Sequence, residues 1–102
     1  YNIYFPNGAS SPERHDYKQK FLKVLLTHLK FERKRGREII LVGDYNVAHT
    51  DIDVYSPKGL ANESGFLPEE RTWMSDFLQA GFIDAFRFFE QPPALEQVLP
   101  LF

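Results

Sequence analysis

The apolar positions of the chain fall into short runs and one long helical stripe. An aromatic and β-branched run at residues 1–5 ends at Pro-Asn-Gly, residues 6–8, which is typical of a strand that enters a loop. Ser10 or Ser11 then offers an N-cap, and Pro12 suits the first turn of a helix. The pattern predicts a strand at residues 1–5 and a helix that begins near residue 12.

This helix is predicted to cover about residues 12 to 35 and to bury one apolar stripe. The stripe recurs at steps of three and four residues and contains Tyr17, Phe21, Val24, Leu25, His28 and Leu29. Gly36 is expected to end the helix, because glycine readily adopts the left-handed backbone. Residues 39–42 are a continuous apolar run, which predicts a central strand buried on both faces.

A second helix is predicted after a long loop. Residues 45–67 contain proline, glycine and asparagine without a sustained period, which is typical of a long ordered loop. Pro68 then suits a first helical turn, and Gly81 is expected to end the helix. Its inward face is formed by Trp73, Met74, Phe77 and Leu78.

The last apolar segment, residues 82–88, is predicted to form a further strand. The order of strand, helix, strand, loop, helix and strand predicts a layered α/β protein. The 102 residues, of which 43% are apolar and 16% aromatic, are enough to build the core of one small domain.

Composition narrows the chemistry that the chain can perform. The absence of cysteine excludes disulfides and thiolate chemistry, so oxygen and nitrogen groups must act. The formal net charge of −2 counts mildly against a nucleic-acid binder, although a metal-dependent phosphodiesterase also needs acidic groups at its centre. No apolar run approaches the roughly 20 residues of a membrane helix. A cytoplasmic protein that does not contact a membrane is therefore expected.

The strongest candidate site follows the strand predicted at residues 39–42. Asp44 and Asn46 lie at its carboxyl end, the edge of an α/β sheet where ligands gather. A carboxylate there can bind a hard cation or accept a proton from water, and the amide two residues later can donate and accept. From these residues alone, a helix or turn cap is the simpler interpretation of Asp44.

Several motifs together resemble the exonuclease III and apurinic/apyrimidinic endonuclease family. They occur in the family's order and at matching spacing, and they lie at residues 2–8, 13–18, 43–49, 52–58, 64–71 and 81–87. The resemblance covers residues 1 to about 88. It implies a four-layered α/β/β/α sandwich, of which this chain would form the central part as a single partial domain, with residues 89–102 as a divergent tail.

The resemblance also implies a function and a catalytic site. The expected activity is that of a Mg²⁺-dependent DNA-repair phosphodiesterase, with Mn²⁺ as an alternative cation and 3′-exonuclease activity as an accompanying expectation. Its substrate would be double-stranded DNA with abasic sites, and a monomer is expected. Asp44 would activate or position the attacking water, Asn46 would contact the phosphate and the metal, and Tyr4 would place a phenol at that phosphate. Asp44 and Asn46 would thus also be the metal ligands.

Three further residues are implied as contacts to the DNA backbone. Asn7, Arg14 and Lys58 match positions at which the family binds DNA phosphates with an amide or a cation. Such contacts position the duplex and do not read its bases.

Departures from the family leave alternatives open. The family's metal-binding Glu lies on a strand before residue 1, its closing Ser-Asp-His signature has no counterpart here, and the resemblance ends after Arg87. There are two alternatives to a DNA-repair phosphodiesterase. The chain is either a truncated non-catalytic fragment of that family or a superfamily phosphoesterase with another phosphodiester substrate. Tyr4 is alternatively a packed core aromatic. Among acidic loop residues, Asp53 is expected to brace the loop rather than bind metal, and His49 receives no catalytic role.

Overall fold

The computed structural model describes residues 1–90, which form two strands, four α-helices and one 3₁₀ turn. In chain order these are β1 (Asn2–Tyr4), α1 (Pro12–Lys34), β2 (Val42–Asp44), the 3₁₀ turn (Asp51–Asp53), α2 (Pro57–Leu60), α3 (Pro68–Gln79) and α4 (Ala85–Glu90). The strands pair in parallel through the crossover helix α1. The chain is therefore an α/β unit, as the sequence predicts. Of the divergent tail predicted at residues 89–102, residues 91–102 lie outside the described residues.

Helix α1 begins and ends where the sequence predicts. The hydroxyl of Ser11 accepts a hydrogen bond from the backbone N–H of Arg14 at 3.1 Å, and Pro12 occupies the first turn. Ser11, rather than Ser10, is therefore the N-cap. Gly36 follows the helix with a φ of +86°, the left-handed conformation that ends many helices. None of the helices within residues 1–90 is long and apolar enough to cross a membrane.

The buried face of α1 differs from the predicted stripe. Its buried positions are Lys18, Leu22, Leu25 and Leu29. Tyr17 and Val24 are 54% and 69% exposed, and His28 is exposed as well, so these three predicted core positions are wrong. The prediction followed the larger apolar side chains. The face of the helix that carries Lys18 is buried instead, because the buried carboxylate of Glu70 pairs with that lysine.

Aromatic packing joins α1, α3 and the end of β1. The Phe5 ring stacks on Tyr45 with the ring centroids 4.6 Å apart, and Trp73 stacks on Phe77 at 5.2 Å. The indole N–H of Trp73 donates to the carbonyl of Leu22 at 2.6 Å, so its polar atom is satisfied inside the core. The predicted inward face of α3 is confirmed.

The strand predicted at residues 39–42 is shorter and less buried than expected. β2 begins only at Val42. Ile39 and Leu41 pack against the core, whereas Ile40 and Val42 are 77% and 49% exposed. Burial on both faces is therefore wrong for the described part of the chain, in which helices cover one face of a two-stranded sheet.

The strand predicted at residues 82–88 is also wrong, because this segment contains helix α4. Asp84 caps the helix. Its Oδ1 accepts a hydrogen bond from the backbone N–H of Arg87 at 3.1 Å, and its carbonyl oxygen accepts one from the backbone N–H of Phe88 at 2.8 Å. An aspartate is among the strongest N-caps. The local capping signal thus outweighs the preference of the following aromatic residues for strands.

One buried ion pair joins α1 to the first turn of α3. Lys18 Nζ lies 2.6 Å from Glu70 Oε2, and the two side chains are 1% and 0% exposed. Glu70 Oε1 accepts the backbone N–H groups of Gly65 at 2.7 Å and Leu67 at 3.3 Å. Glu70 Oε2 also accepts from Gln19 Nε2 at 3.4 Å. The buried charges are paired and hydrogen-bonded, which is the condition under which a protein tolerates them.

The ion pair predicts a non-additive effect on stability. Lys18→Met, which keeps the side-chain volume but leaves Glu70 as an unpaired buried charge, is expected to lower the free energy of unfolding by about 3–5 kcal/mol. Urea denaturation measures the change.

The matched control is the double variant Lys18→Met/Glu70→Gln, which removes both charges. Because a buried pair is often replaced by neutral groups at little cost, it is expected to recover most of the loss. Equal losses in the single and double variants would show that the two charges are not coupled.

Candidate active site

The pairing of β1 with β2 forms one side of the candidate site. Tyr4 lies opposite Asp44 in the parallel register, so both side chains point to the same face of the sheet. Tyr4 is 76% exposed, and Asp44 is exposed as well. The alternative that Tyr4 packs in the core is therefore wrong, and two of the predicted catalytic residues lie side by side.

This register depends on a glycine. Gly43 lies opposite Ile3 and has a φ of +121°. A Cβ at this position would fall on the carbonyl oxygen of Ile3. The close approach of the two strands just before Asp44 therefore requires a residue without a side chain.

Asn46 is held by three hydrogen bonds in a left-handed conformation, with a φ of +52°. Its backbone N–H donates to Asp44 Oδ1 at 3.0 Å, and its side-chain Nδ2 donates to the carbonyl of Phe5 at 2.7 Å. Its own carbonyl accepts from Lys18 Nζ at 2.7 Å. Within residues 1–90 its amide oxygen has no hydrogen-bond partner, so that oxygen is the side-chain group that Asn46 can offer to a ligand.

A cavity of about 460 Å³ lies beside these groups. Asp44, Asn46 and Lys18 line it together with Asn7, whose Oδ1 accepts the backbone N–H of Ala9 at 2.8 Å. A larger groove, along the other side of β2, has a mostly apolar lining. The smaller cavity is the candidate active site because the polar groups converge there.

Two of the predicted phosphate contacts lie outside this cavity. Arg14 is exposed near the start of α1, and its guanidinium lies 5.1 Å from the centroid of the Tyr17 ring. Lys58 is exposed on α2. The structure thus places Asp44, Asn46 and Asn7 at one cavity. Tyr4 lies beside Asp44 in the strand register, but Tyr4, like Arg14 and Lys58, does not line that cavity.

The loop that follows Asn46 is braced by Asp53, as the sequence predicts. Asp53 Oδ2 accepts the backbone N–H groups of His49 at 3.1 Å and Thr50 at 2.8 Å, and its Oδ1 pairs with Arg87. Partial burial by itself would raise the pKa of Asp53, but the hydrogen bonds from Thr50, Arg87 and His49 outweigh it, and the pKa is lowered. The ring of His49 hydrogen-bonds to Ser75 Oγ at 2.8 Å. The side chains of Asp53 and His49 therefore both hold the loop in place.

The oxygen ligands at the cavity suit a cation that keeps much of its water. No group of three or more His, Cys, Asp and Glu side chains in the described part of the chain could hold a metal ion. Asp44 and the amide oxygen of Asn46 nevertheless provide two oxygen donors. Mg²⁺ usually keeps several waters and binds one or two carboxylates, so this pair fits part of a magnesium shell.

Gly65 supports the site, although the sequence did not single it out. Its φ is +99°, and its carbonyl accepts the backbone N–H of Ala48 at 2.7 Å. A Cβ at Gly65 would lie 3.3 Å from the carbonyl oxygen of Asn46. The loop end at residue 65 therefore packs directly against the turn that carries Asn46.

Lys18 and Glu70 were also missed as supports of the site. The available signal was spacing, since Lys18 shares the steps of four, three and four residues that connect Leu22, Leu25 and Leu29. An ionisable residue on a core face seldom occurs without a partner. The partner itself could not be read from the sequence, because residue 70 is distant in the chain.

Known proteins resemble most of this chain. It is 41% identical over 85 residues to the exodeoxyribonuclease of Bacillus subtilis (strain 168), covering 83% of this chain and 33% of that protein. It is 40% identical over 89 residues to the DNA-(apurinic or apyrimidinic site) endonuclease of Dictyostelium discoideum, covering 86% of this chain and 25% of that protein. It is 39% identical over 84 residues to the DNA repair nuclease APEX1 of Danio rerio, covering 82% of this chain and 27% of that protein.

The chain thus spans a quarter to a third of the length of these curated relatives. No family model matches it.

The close approach of Gly43 to Ile3 yields a prediction about the strand register. Gly43→Ala is expected to lower the free energy of unfolding by the strain of a positive φ, about 1–2 kcal/mol, and by a further ~1–3 kcal/mol for the overlap with Ile3. Gly36→Ala is the matched control, because Gly36 also has a positive φ but a Cβ there meets nothing within 4 Å. Urea denaturation of both variants measures the difference, and equal losses would contradict a steric role for Gly43.

The lowered pKa of Asp53 predicts a dependence of stability on pH. A carboxyl whose pKa is lower in the folded state stabilises fully above its unfolded pKa of about 3.9 and loses this contribution as pH falls through the folded pKa. The stability difference between the unaltered chain and Asp53→Asn is therefore expected to be constant from pH ~7 to ~5 and to shrink below pH ~4.

Urea denaturation across this range checks the prediction. Asp76→Asn, on the exposed surface of α3, is the control for loss of one carboxylate. A difference for Asp53→Asn that does not shrink in acid would contradict the assignment.

Proposed function

We propose that this chain, which belongs to the exonuclease III type of apurinic/apyrimidinic endonuclease, carries the water-activating part of a DNA-repair nuclease. The reaction is hydrolysis of the phosphodiester on the 5′ side of an abasic site in double-stranded DNA, with 3′-exonuclease activity as an accompanying reaction. The observation that carries the proposal is that Tyr4 lies in register with Asp44 at one sheet edge, where Asp44 and Asn46 line a cavity. The similarity to three named DNA nucleases and repair endonucleases supports it.

Asp44 is the proposed base for the attacking water. Its carboxylate is exposed, and the N–H of Asn46 holds one of its oxygens, which orients the group. As the water oxygen bonds to phosphorus, its proton passes to Asp44 and the bond from phosphorus to the 3′ oxygen of the preceding nucleotide breaks. The departing 3′ oxygen takes up a proton from solvent water. Tyr4, in register with Asp44, is proposed to donate its phenol O–H to a phosphate oxygen, where negative charge develops.

A divalent cation would complete this site. Asp44 and the amide oxygen of Asn46 would hold Mg²⁺, or Mn²⁺ in its place, and the bound ion would neutralise charge on the phosphate oxygens. The bond from Asn46 Nδ2 to the carbonyl of Phe5 fixes which end of the amide is the nitrogen. The oxygen is then the end available to a cation.

The remaining site residues are proposed to hold the duplex. Asn7 shares the cavity with Asp44 and would contact a phosphate near the scissile bond, whereas Arg14 and Lys58 lie outside it and would contact flanking phosphates. We also propose that the chain acts as a monomer and that its sheet is part of a four-layered α/β/β/α sandwich. The exposed apolar side chains of Ile40 and Val42 support a second layer over that face.

The proposal predicts a metal-dependent incision that needs Asp44. With a duplex oligonucleotide carrying one abasic analogue, Mg²⁺ is expected to support incision and EDTA to abolish it. Asp44→Asn is expected to lower the rate about 10²- to 10⁴-fold, the usual contribution of a general base. Gel analysis of the labelled strand measures the rate.

Asp76→Asn is the matched control, because it removes an exposed carboxylate from α3 that does not line the cavity. Its rate is expected to equal that of the unaltered chain. Incision that is equally fast in Asp44→Asn would contradict the role of Asp44. A folded chain that shows no incision with Mg²⁺ or Mn²⁺ would contradict the proposed activity.

A further inference from the structure

A buried ammonium group holds the backbone of Asn46. Lys18 is fully buried, and its Nζ donates to the carbonyl oxygen of Asn46 at 2.7 Å and lies 2.6 Å from Glu70 Oε2. A charge-assisted bond of this kind is stronger than a bond between neutral groups. Lys18 therefore contacts the turn that carries the candidate catalytic groups, although its own side chain takes no part in the proposed chemistry.

The conformation of Asn46 needs such support. Among the non-glycine residues 1–90, Asn46 alone has a positive φ, which is a disfavoured backbone conformation for L-residues even though asparagine tolerates it better than most. A return to an ordinary conformation would turn its carbonyl away from Lys18 Nζ. It would also disturb the bonds from its N–H to Asp44 and from its side chain to Phe5.

Glu70 connects this support to the rest of the loop. One carboxylate oxygen faces Lys18, and the other accepts the backbone N–H of Gly65. Gly65 in turn accepts the backbone N–H of Ala48, two residues after Asn46. The ion pair thus binds both sides of the turn, and the charge of Glu70 allows the ammonium of Lys18 to stay buried.

We infer that Lys18, held by Glu70, is a positioning residue that maintains Asn46 in the left-handed conformation and thereby directs its amide oxygen toward the cation and phosphate beside Asp44. The part about cation and phosphate rests on the proposed function, whereas the part about the conformation of Asn46 does not. The competing interpretation is that the ion pair only adds stability to the packing of α1 against α3.

The double variant Lys18→Met/Glu70→Gln separates these interpretations, because it removes the bond to Asn46 while it leaves no unpaired buried charge. The conformation of Asn46 is read from its ³J coupling between amide and α protons and from its ¹³C shifts. Cation binding is read by titrating MgCl₂ and following the signals of Asp44 and Asn46. The indole N–H signal of Trp73, which bonds to Leu22 inside the core, reports that the variant is folded.

The expected result is a folded double variant in which the ³J coupling and ¹³C shifts of Asn46 no longer have the values of a left-handed backbone conformation. The Mg²⁺ concentration at the titration midpoint is expected to rise about 10- to 100-fold, as for loss of a group that orients a metal ligand. A folded variant that keeps the left-handed values of Asn46 would overturn the inference, as would one whose midpoint is unchanged although the unaltered chain binds Mg²⁺.

Two further outcomes are also decisive. If the unaltered chain neither binds Mg²⁺ nor incises abasic DNA, the proposed function fails, while the Asn46 signals of the double variant still test the positioning role. If the double variant does not fold, the unaltered chain itself supplies the test. Ammonium protons of Lys18 that exchange slowly and show cross-relaxation to the Asn46–Val47 peptide group support the inference, and their absence overturns it.

Discussion

The buried ion pair between Lys18 and Glu70 is the interaction on which the rest of the structure depends. Removing two charges from water is costly, and a protein tolerates it only when both partners are paired and hydrogen-bonded. Here the ammonium bonds the carbonyl of Asn46, and the carboxylate bonds the backbone N–H groups of Gly65 and Leu67. One interaction therefore joins α1, the first turn of α3 and both ends of the loop that surrounds the candidate site.

The candidate site is built where the backbone departs from ordinary conformations. Gly43, Asn46 and Gly65 all have positive φ values and all line the same cavity. A positive φ costs glycine little, whereas at Asn46 it persists because surrounding contacts hold it. At Gly43 the reason is the approach of β1, and at Asn46 it is the set of three hydrogen bonds to Asp44, Phe5 and Lys18.

The wrong predictions have two physical causes: in one segment two local signals compete, and in the other two segments distant contacts decide which side chains are buried. Residues 82–88 were predicted to form a strand from their aromatic content, but the capping carboxylate of Asp84 starts a helix there. The stripe of α1 was predicted from the largest apolar residues, and Tyr17 proved to be exposed because the inward face carries Lys18. The burial of residues 39–42 was overestimated because an apolar run does not reveal how many layers cover it.

The sequence by itself determined the elements whose signals are local. The helix start near Pro12, the stop at Gly36 and the helix from Pro68 could all be predicted, because capping, φ preference and periodicity act over a few residues. Only the tertiary structure decided which face of α1 is buried and how Asn46 is held. These features depend on pairs such as Lys18 with Glu70, whose members are far apart in the chain and whose burial is favourable only when both are in place.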